Sequence, residues 1–428
     1  MAYPFAYNRG MDDSLLNRLK SLGMQLGNPP VSHSPNRKPE VSVSIEKVIS
    51  GQHHPTIFGD VFISKKQYPA DYKHGIIEFT TGIDLSPLLS WSRISLESNP
   101  PIEEFVFLDT ETSGLAGGTG TFVFLVGLGY WKNDQYHLTQ LFLREPDEEP
   151  AFLTALEEHL TPFKVLVTYN GKSFDAPLLN NRFVLNGFQS PIKKKHHIDL
   201  LSLTRRIWRN RLDDRSLGNL EHEILSLTRS ADEIPGWMVP QIYFEYLQTL
   251  NASPLQGVFY HNQIDILSLS ALFVHLTQLL NNPLAAENPQ SLDLIAIARL
   301  YEELGDYNRA VQLYEAGLEI GLPTHFFIQT LYRFANLHRR TGQPEEALNL
   351  WLKAAEYNEV GACIEIAKFY EHQQKAYSQA IEWTELGLNY LEQSPMPRYI
   401  KKQRRMELEH RIQRLIQKQN RLRNQETS

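Results

Sequence analysis

Cysteine is nearly missing from this chain: Cys363 is the single thiol among 428 residues. That excludes an intramolecular disulfide and a thiolate zinc cluster, and it suits a reducing compartment. A lone cysteine reads as a small buried apolar side chain. Long hydrophobic runs are also missing. The longest, "TFVFLVGLGYW" at residues 121–131, falls well short of the ~20 residues that span a bilayer. The opening "MAYPFAYNRGMDDSLL" has no basic segment followed by an apolar one, so no secretory signal is expected and the cytoplasm is the expected location. Net positive charge is absent too. The formal net charge of -7 argues against a general nucleic-acid coating protein.

What is present is enough to fold. At this length the expectation is two or three domains, and 42% hydrophobic residues can fill their cores. Charge is segregated within the acidic total. One basic stretch runs from Lys193, Lys194 and Lys195 through Arg205, Arg206, Arg209, Arg211 and Arg215, and a second forms the tail from Arg398 to Arg423. The tail reads as a solvated helical face; the first stretch is a candidate phosphate contact.

Residues 1–42 read as a short amphipathic helix, with Leu15, Leu16, Leu19 and Leu22 on one face, followed by a Pro-, Ser- and Asn-rich linker. Residues 43–99 are β-leaning, with "GDVFISKKQY" and "HGIIEFTTG" as strand candidates and no role legible in them. From residue 100 to 282 the spacing predicts strands at 104–111, 121–131, 136–144 and 164–169, then alternating helices and strands, ending in a long amphipathic helix. This is the pattern of a mixed α/β sheet flanked by helices.

Residues 283–393 repeat themselves. "AIARLYEELGDYNRAVQLYEAGLE" aligns with "RFANLHRRTGQPEEALNLWLKAAE" at a period of 37, Gly305 onto Gly342, and a third copy follows after 33. Small residues recur where paired helices must approach: Ala298, Ala310 and Gly317; Ala335, Ala347 and Ala354; Ala367, Ala380 and Gly387. The period and placement resemble tetratricopeptide repeats, which implies an all-α helical stack and a possible protein partner on its groove. A structural cap on the preceding domain is the other reading. Residues 394–428 are expected to form a basic helical tail.

The chemistry begins in "EFVFLDTETSGL", residues 104–115, where Asp109 and Glu111 end an otherwise apolar strand. Residues i and i+2 of a strand point to one side, so two carboxylates are presented together. Unpaired and half-buried, they would cost several kcal/mol, so a cation should sit between them. Hard Mg²⁺ or Mn²⁺ suits carboxylate oxygens. Asp175, in "YNGKSFD", starts the helix after a strand, and Asp265, in "YHNQID", shares a helix face with His261 four residues earlier. Four acids on separate elements can converge on two metal ions, the arrangement that serves phosphodiester hydrolysis.

"FLDTETSG", "YNGKSFDAPLL" and "HNQIDILSL", in that order, resemble the three motifs of the ribonuclease H-like DEDD 3′–5′ exonucleases. Of these the chain is most similar to the YprB-type branch, through "GLAGGTGTFVF" after the first motif and "RSLGNLEHEILSLTRSADEIPGWMVPQIYFEYL" before the third. The resemblance covers about residues 100–280. It implies a ribonuclease H-like domain in which Asp109, Glu111, Asp175 and Asp265 hold two Mg²⁺ or Mn²⁺ ions, acting on single-stranded DNA or RNA. The family places a His five positions, or a Tyr four positions, before the last Asp. Here the two are interchanged as Tyr260 and His261. An imidazole with pKa near ~6.5 accepts a proton at pH 7, whereas a phenol near ~10 does not, so His261 is the expected general base. In this reading Asn170, Lys172 and Tyr260 face nucleic acid. "NGKS" is no phosphate-binding P-loop, because Leu166 stands where that motif needs glycine. The competing reading, from a different class, is a non-catalytic ribonuclease H-like scaffold that binds nucleic acid or protein.

Overall fold

The computed structural model describes residues 42–94, 100–114, 120–230, 233–285 and 289–426. The helix expected around Leu15–Leu22 and nearly all of the linker after it lie outside the described residues, as does most of the glycine-rich link before Thr121.

In chain order the strands are β1 (Gln52–Thr56), β2 (Gly59–Tyr68), β3 (Lys73–His74), β4 (Ile77–Glu78), β5 (Phe105–Thr112), β6 (Val123–Lys132), β7 (Gln135–Phe142), β8 (Val165–Thr168) and β9 (His196–Asp199). Seven of them form one sheet in the order β1-β2-β7-β6-β5-β8-β9. Pairing is antiparallel from β1 to β5 and parallel across β5, β8 and β9. The expected mixed sheet is therefore present. The hairpin between β6 and β7 turns on Asn133 and Asp134, both at positive φ, as a tight two-residue link requires. Residues 43–94, for which the sequence suggested no role, place β1 and β2 on the β7 edge of this same sheet.

Helices cover both faces: α1 (Ser86–Ser92), α2 (Glu149–Leu160), α3 (Asp175–Leu185), α4 (Leu200–Trp208), α5 (Leu217–Glu223), α6 (Val239–Thr249) and α7 (Leu255–Asn281). Alternation along β5 separates two cores. Phe105 and Phe107 pack with Phe273 of α7, while Val106 and Leu108 join α2, α3 and α6 on the other face. In length and composition α7 could cross a membrane, but it is the central core helix, with Ile266, Leu269, Leu272 and Leu276 buried.

Six further helices form the repeats: α8 (Ser291–Leu304), α9 (Tyr307–Ile320), α10 (Thr324–Arg340), α11 (Pro344–Ala355), α12 (Val360–His372) and α13 (Tyr377–Gln393). Gly305 and Gly342 turn the first two pairs at φ 83° and 80°, and Lys375 holds the same left-handed turn, at φ 52°, in the third. A Cβ on Gly317 would lie 2.6 Å from Ile295 Cδ1, so a larger residue at that helix crossing would require the Ile295 side chain to shift. Cys363 is buried, as expected. The core that starts on the sheet continues through α7 into the repeats without interruption. The tail forms α14 (Arg398–Glu426). It is anchored by Glu371, 2% exposed, which accepts from Arg411 at 2.7 Å, Arg414 at 2.9 Å and Lys418 at 2.8 Å.

Candidate functional site

Asp109 and Glu111 continue the Phe105–Phe107 side of β5 as that strand emerges from its core. Glu111 is buried and Asp109 half-buried. The β5–β6 register shifts between Glu111 and Thr112, a local irregularity of the kind that re-aims side chains beside functional sites. Directly across from Asp109 in the ladder is Gly127. A Cβ there would stand 2.3 Å from Asn262 Oδ1 and 2.8 Å from Ile266 Cγ1. The missing side chain is what lets α7 lie against the sheet. Asn262 can then donate from Nδ2 to Asp109 Oδ2 at 3.0 Å, while Gln140 donates to Asn262 Oδ1 at 3.0 Å and fixes the amide.

Asp175 reaches the same end of β5 from the opposite layer, as the first residue of α3, and accepts a hydrogen bond from Thr110 Oγ1. The turn before it is held by Asp199. That carboxylate accepts from the backbone N–H of Asn170 at 2.8 Å, of Lys172 at 3.1 Å and of Leu201 at 3.1 Å. Asn170 takes φ 63° in that turn. Asp265 comes from α7, with His261 one turn before it. Glu111, His261 and Asp265 each offer a donor atom, and these atoms lie within 4.8 Å of one another.

Electrostatics follow from this crowding. Burial first, then the charges of Asp265, Glu111 and Asp175, hold the Asp109 carboxyl well above the usual range. Glu111 is raised by burial and by Asp265 and Asp175, with Arg229 acting against them. Burial pushes Asp175 up to about 6, against the hydrogen bond from Thr110. Four carboxylates thus raise one another at one end of β5, at a cost that a multivalent cation would relieve. The carboxylate oxygens fit Mg²⁺ or Mn²⁺, with the imidazole of His261 beside them.

Residues unnoticed in the sequence complete the site. Arg229 binds Asp265 Oδ1, Glu233 Oε1 and both oxygens of Glu221, which is 1% exposed. His261 Nδ1 lies 2.9 Å from Glu233 Oε1, and its Nε2 lies 3.5 Å from Asp265 Oδ2. If Nδ1 carries the proton and donates to Glu233, the Nε2 lone pair faces Asp265. Glu233 Oε2 is buried with no hydrogen-bond partner among the described residues. The signal for Glu221, Arg229 and Glu233 was the segment preceding the third motif; nothing in its local pattern assigned them a partner. The remaining expected residues are peripheral. Lys172 is exposed, and the half-buried Asn170 meets the site through its backbone. Tyr260 is exposed on another side of α7 from His261, with no hydrogen bond to the acids among the described residues.

Two family models agree with this architecture. Residues 106–277 match the RNase_H superfamily and residues 294–320 the tetratricopeptide repeat. Among solved structures, the family B DNA polymerase of the hyperthermophilic archaeon Pyrobaculum calidifontis aligns with 51% of this chain and 30% of its own, at 16% identity and a TM-score of 0.31. The uncharacterised protein YprB of Bacillus subtilis (strain 168) is 30% identical over 349 residues, spanning 78% of this chain and 82% of that protein. The chain therefore belongs to the YprB family of the ribonuclease H superfamily, with tetratricopeptide-like helices following the sheet domain.

Proposed function

We propose that this protein is a metal-dependent nuclease, a 3′–5′ exonuclease on single-stranded DNA or RNA. One observation carries the reading: carboxylates of β5 and α7 meet at one strand end, where donor atoms of Glu111, His261 and Asp265 lie within 4.8 Å, and Asp175 of α3 is near enough to raise the Glu111 carboxyl. Asp109, Glu111, Asp175 and Asp265 would hold two Mg²⁺ or Mn²⁺ ions. When bound, these supply Lewis acidity to the attacking and leaving oxygens. His261 Nε2 takes the proton of the attacking water, with Glu233 orienting the imidazole through Nδ1. Asp265 keeps Oδ2 for an ion while Oδ1 remains with Arg229. Lys172, on the turn before α3, meets a substrate phosphate. The exposed rings of Tyr260 and Trp237 offer stacking surfaces for unpaired bases.

The test is Mn²⁺-dependent degradation of end-labelled DNA and RNA oligonucleotides by wild type and Asp109→Asn. Shortening by wild type alone supports the reading; equal shortening by both places the metal site elsewhere. If neither degrades substrate and Mn²⁺ leaves the melting temperature unchanged, the non-catalytic scaffold is the better account. The observation favouring that second reading is Arg229, which already neutralises Asp265. The repeats point to a protein partner, testable by cross-linking with the full chain as bait.

A further inference from the structure

We propose that the groove between α4 and the first repeats is the track for a single nucleic-acid strand leading to the carboxylate site. The proposal rests on the nuclease reading for its direction, but not for its existence. Six arginines line the groove: Arg205, Arg206, Arg209 and Arg215 on one wall, and Arg299 and Arg333 on the other. Glu303 is the one acid among the lining residues, and Arg206 pairs with it across the groove at 2.5 Å. Glu302 binds Arg333 from behind. Arg205, Arg209 and Arg299 have no ion-pair partner among the described residues. A chain of phosphates would pair with the guanidiniums that Arg205, Arg209 and Arg299 present to the groove.

Both walls are rigid. Trp208, buried at the end of α4, donates from Nε1 to Asp293 of α8 at 3.1 Å, and Arg211 donates to the same carboxylate at 2.9 Å. The helices that form the groove are therefore already in place, and what binding a strand orders is the arginine side chains on them. One wall of the groove, α4, runs back to the turn that precedes Asp175. Asp199 caps α4 with one oxygen and holds the Asn170–Lys172 turn, three residues before Asp175, with both. From Asp199 to Arg209 the helix rises roughly 15 Å. Overall the chain is acidic, so this local concentration of cations decides where a polyanion lands.

Binding of fluorescent 20-mers of DNA and RNA is measured on the full chain in EDTA, so that the carboxylate site is not read. For R205A/R209A/R299A the expected result is affinity at least about tenfold weaker. The slope of log affinity against log salt should be shallower by about 2, three contacts at ~0.7 each. R205K/R209K/R299K should retain most of the binding. Equal binding of the 20-mers by wild type and an alanine variant of unchanged melting temperature overturns the proposal. So does a wild type that binds poly-glutamate but no oligonucleotide. Loss of binding in the variant, combined with a wild type inert in Mn²⁺, would leave the track standing and remove the nuclease reading.

Discussion

Glu111 illustrates how a single side chain can be costly to the fold. A carboxyl whose folded pKa lies above its unfolded value contributes stability that is complete below the unfolded pKa and lost as pH rises through the folded one. Asp109, Glu111 and Asp175 all have that sign. For Asp175 the loss runs from about pH 4 to about 6. Metal-free Glu111→Gln should therefore be more stable than wild type at pH 8, on the order of 1 kcal/mol, and should lose the Mn²⁺-induced rise in melting temperature. Scanning calorimetry in EDTA and in Mn²⁺ checks both. A Glu111→Gln protein less stable than wild type in EDTA would mean the carboxylates are not in conflict. Two histidines, His74 buried and His275 half-buried, work in the opposite sense. Burial lowers His74 and His275 to about 4, with Arg229 and Arg211 adding to the effect. Each contributes stability that is present above ~6.5 and lost as pH falls towards 4, up to about 3 kcal/mol apiece. His275→Gln should flatten the acid limb of a urea-melt stability curve between those values. An unchanged slope would show that His275 is not kept neutral by its burial.

Among the elements, the crossing of α7 over the sheet decides whether the acids meet. That crossing depends on Gly127, whose place in the ladder opposite Asp109 leaves room for Asn262. Gly127→Ala should cost about 1–3 kcal/mol by overpacking. It should also move Asn262 from Asp109, so Mn²⁺ binding weakens even where the fold persists. Urea melts combined with Mn²⁺ titration measure the two effects separately, and full Mn²⁺ affinity in the variant would show that α7 tolerates the shift. The strand and helix succession around these residues was legible, because periodicity of 2 and 3.6 is a local property. The crossing was not legible, since a glycine in a strand does not reveal which helix lies on it.

Across the whole molecule, the repeats and tail are tied to the sheet domain by a continuous core and a few buried ion pairs. Arg211 with Asp293 joins the sheet domain to α8, and Glu371 of α12 ties the tail to the repeats by gripping three cations of α14. The sequence suggested a solvated tail, but those charges are in part spent on structure. Glu371→Ala should lower stability by about 1–3 kcal/mol and release α14, with trypsin cutting after Arg411 and Arg414 faster than in wild type. Equal cleavage rates would mean that the apolar contacts of Leu408 and Leu415, both buried, hold the helix unaided. The first basic stretch has a different fate. Arg211 locks α4 to α8, while Arg205 and Arg209 remain without ion-pair partners in the groove.

By itself the sequence determined the mixed sheet, the helical repeats, and the three short motifs that carry the acids. Each is written in local spacing, in turn residues or in small residues at helix contacts. Tertiary structure alone decided that Arg229, Glu221 and Glu233 stand around Asp265 and His261, that Asn262 rather than a charge holds Asp109, and that arginines from distant segments face one groove. Charges act through space at distances of a few ångströms, and only the packing of α7 and α8 brings those residues that close.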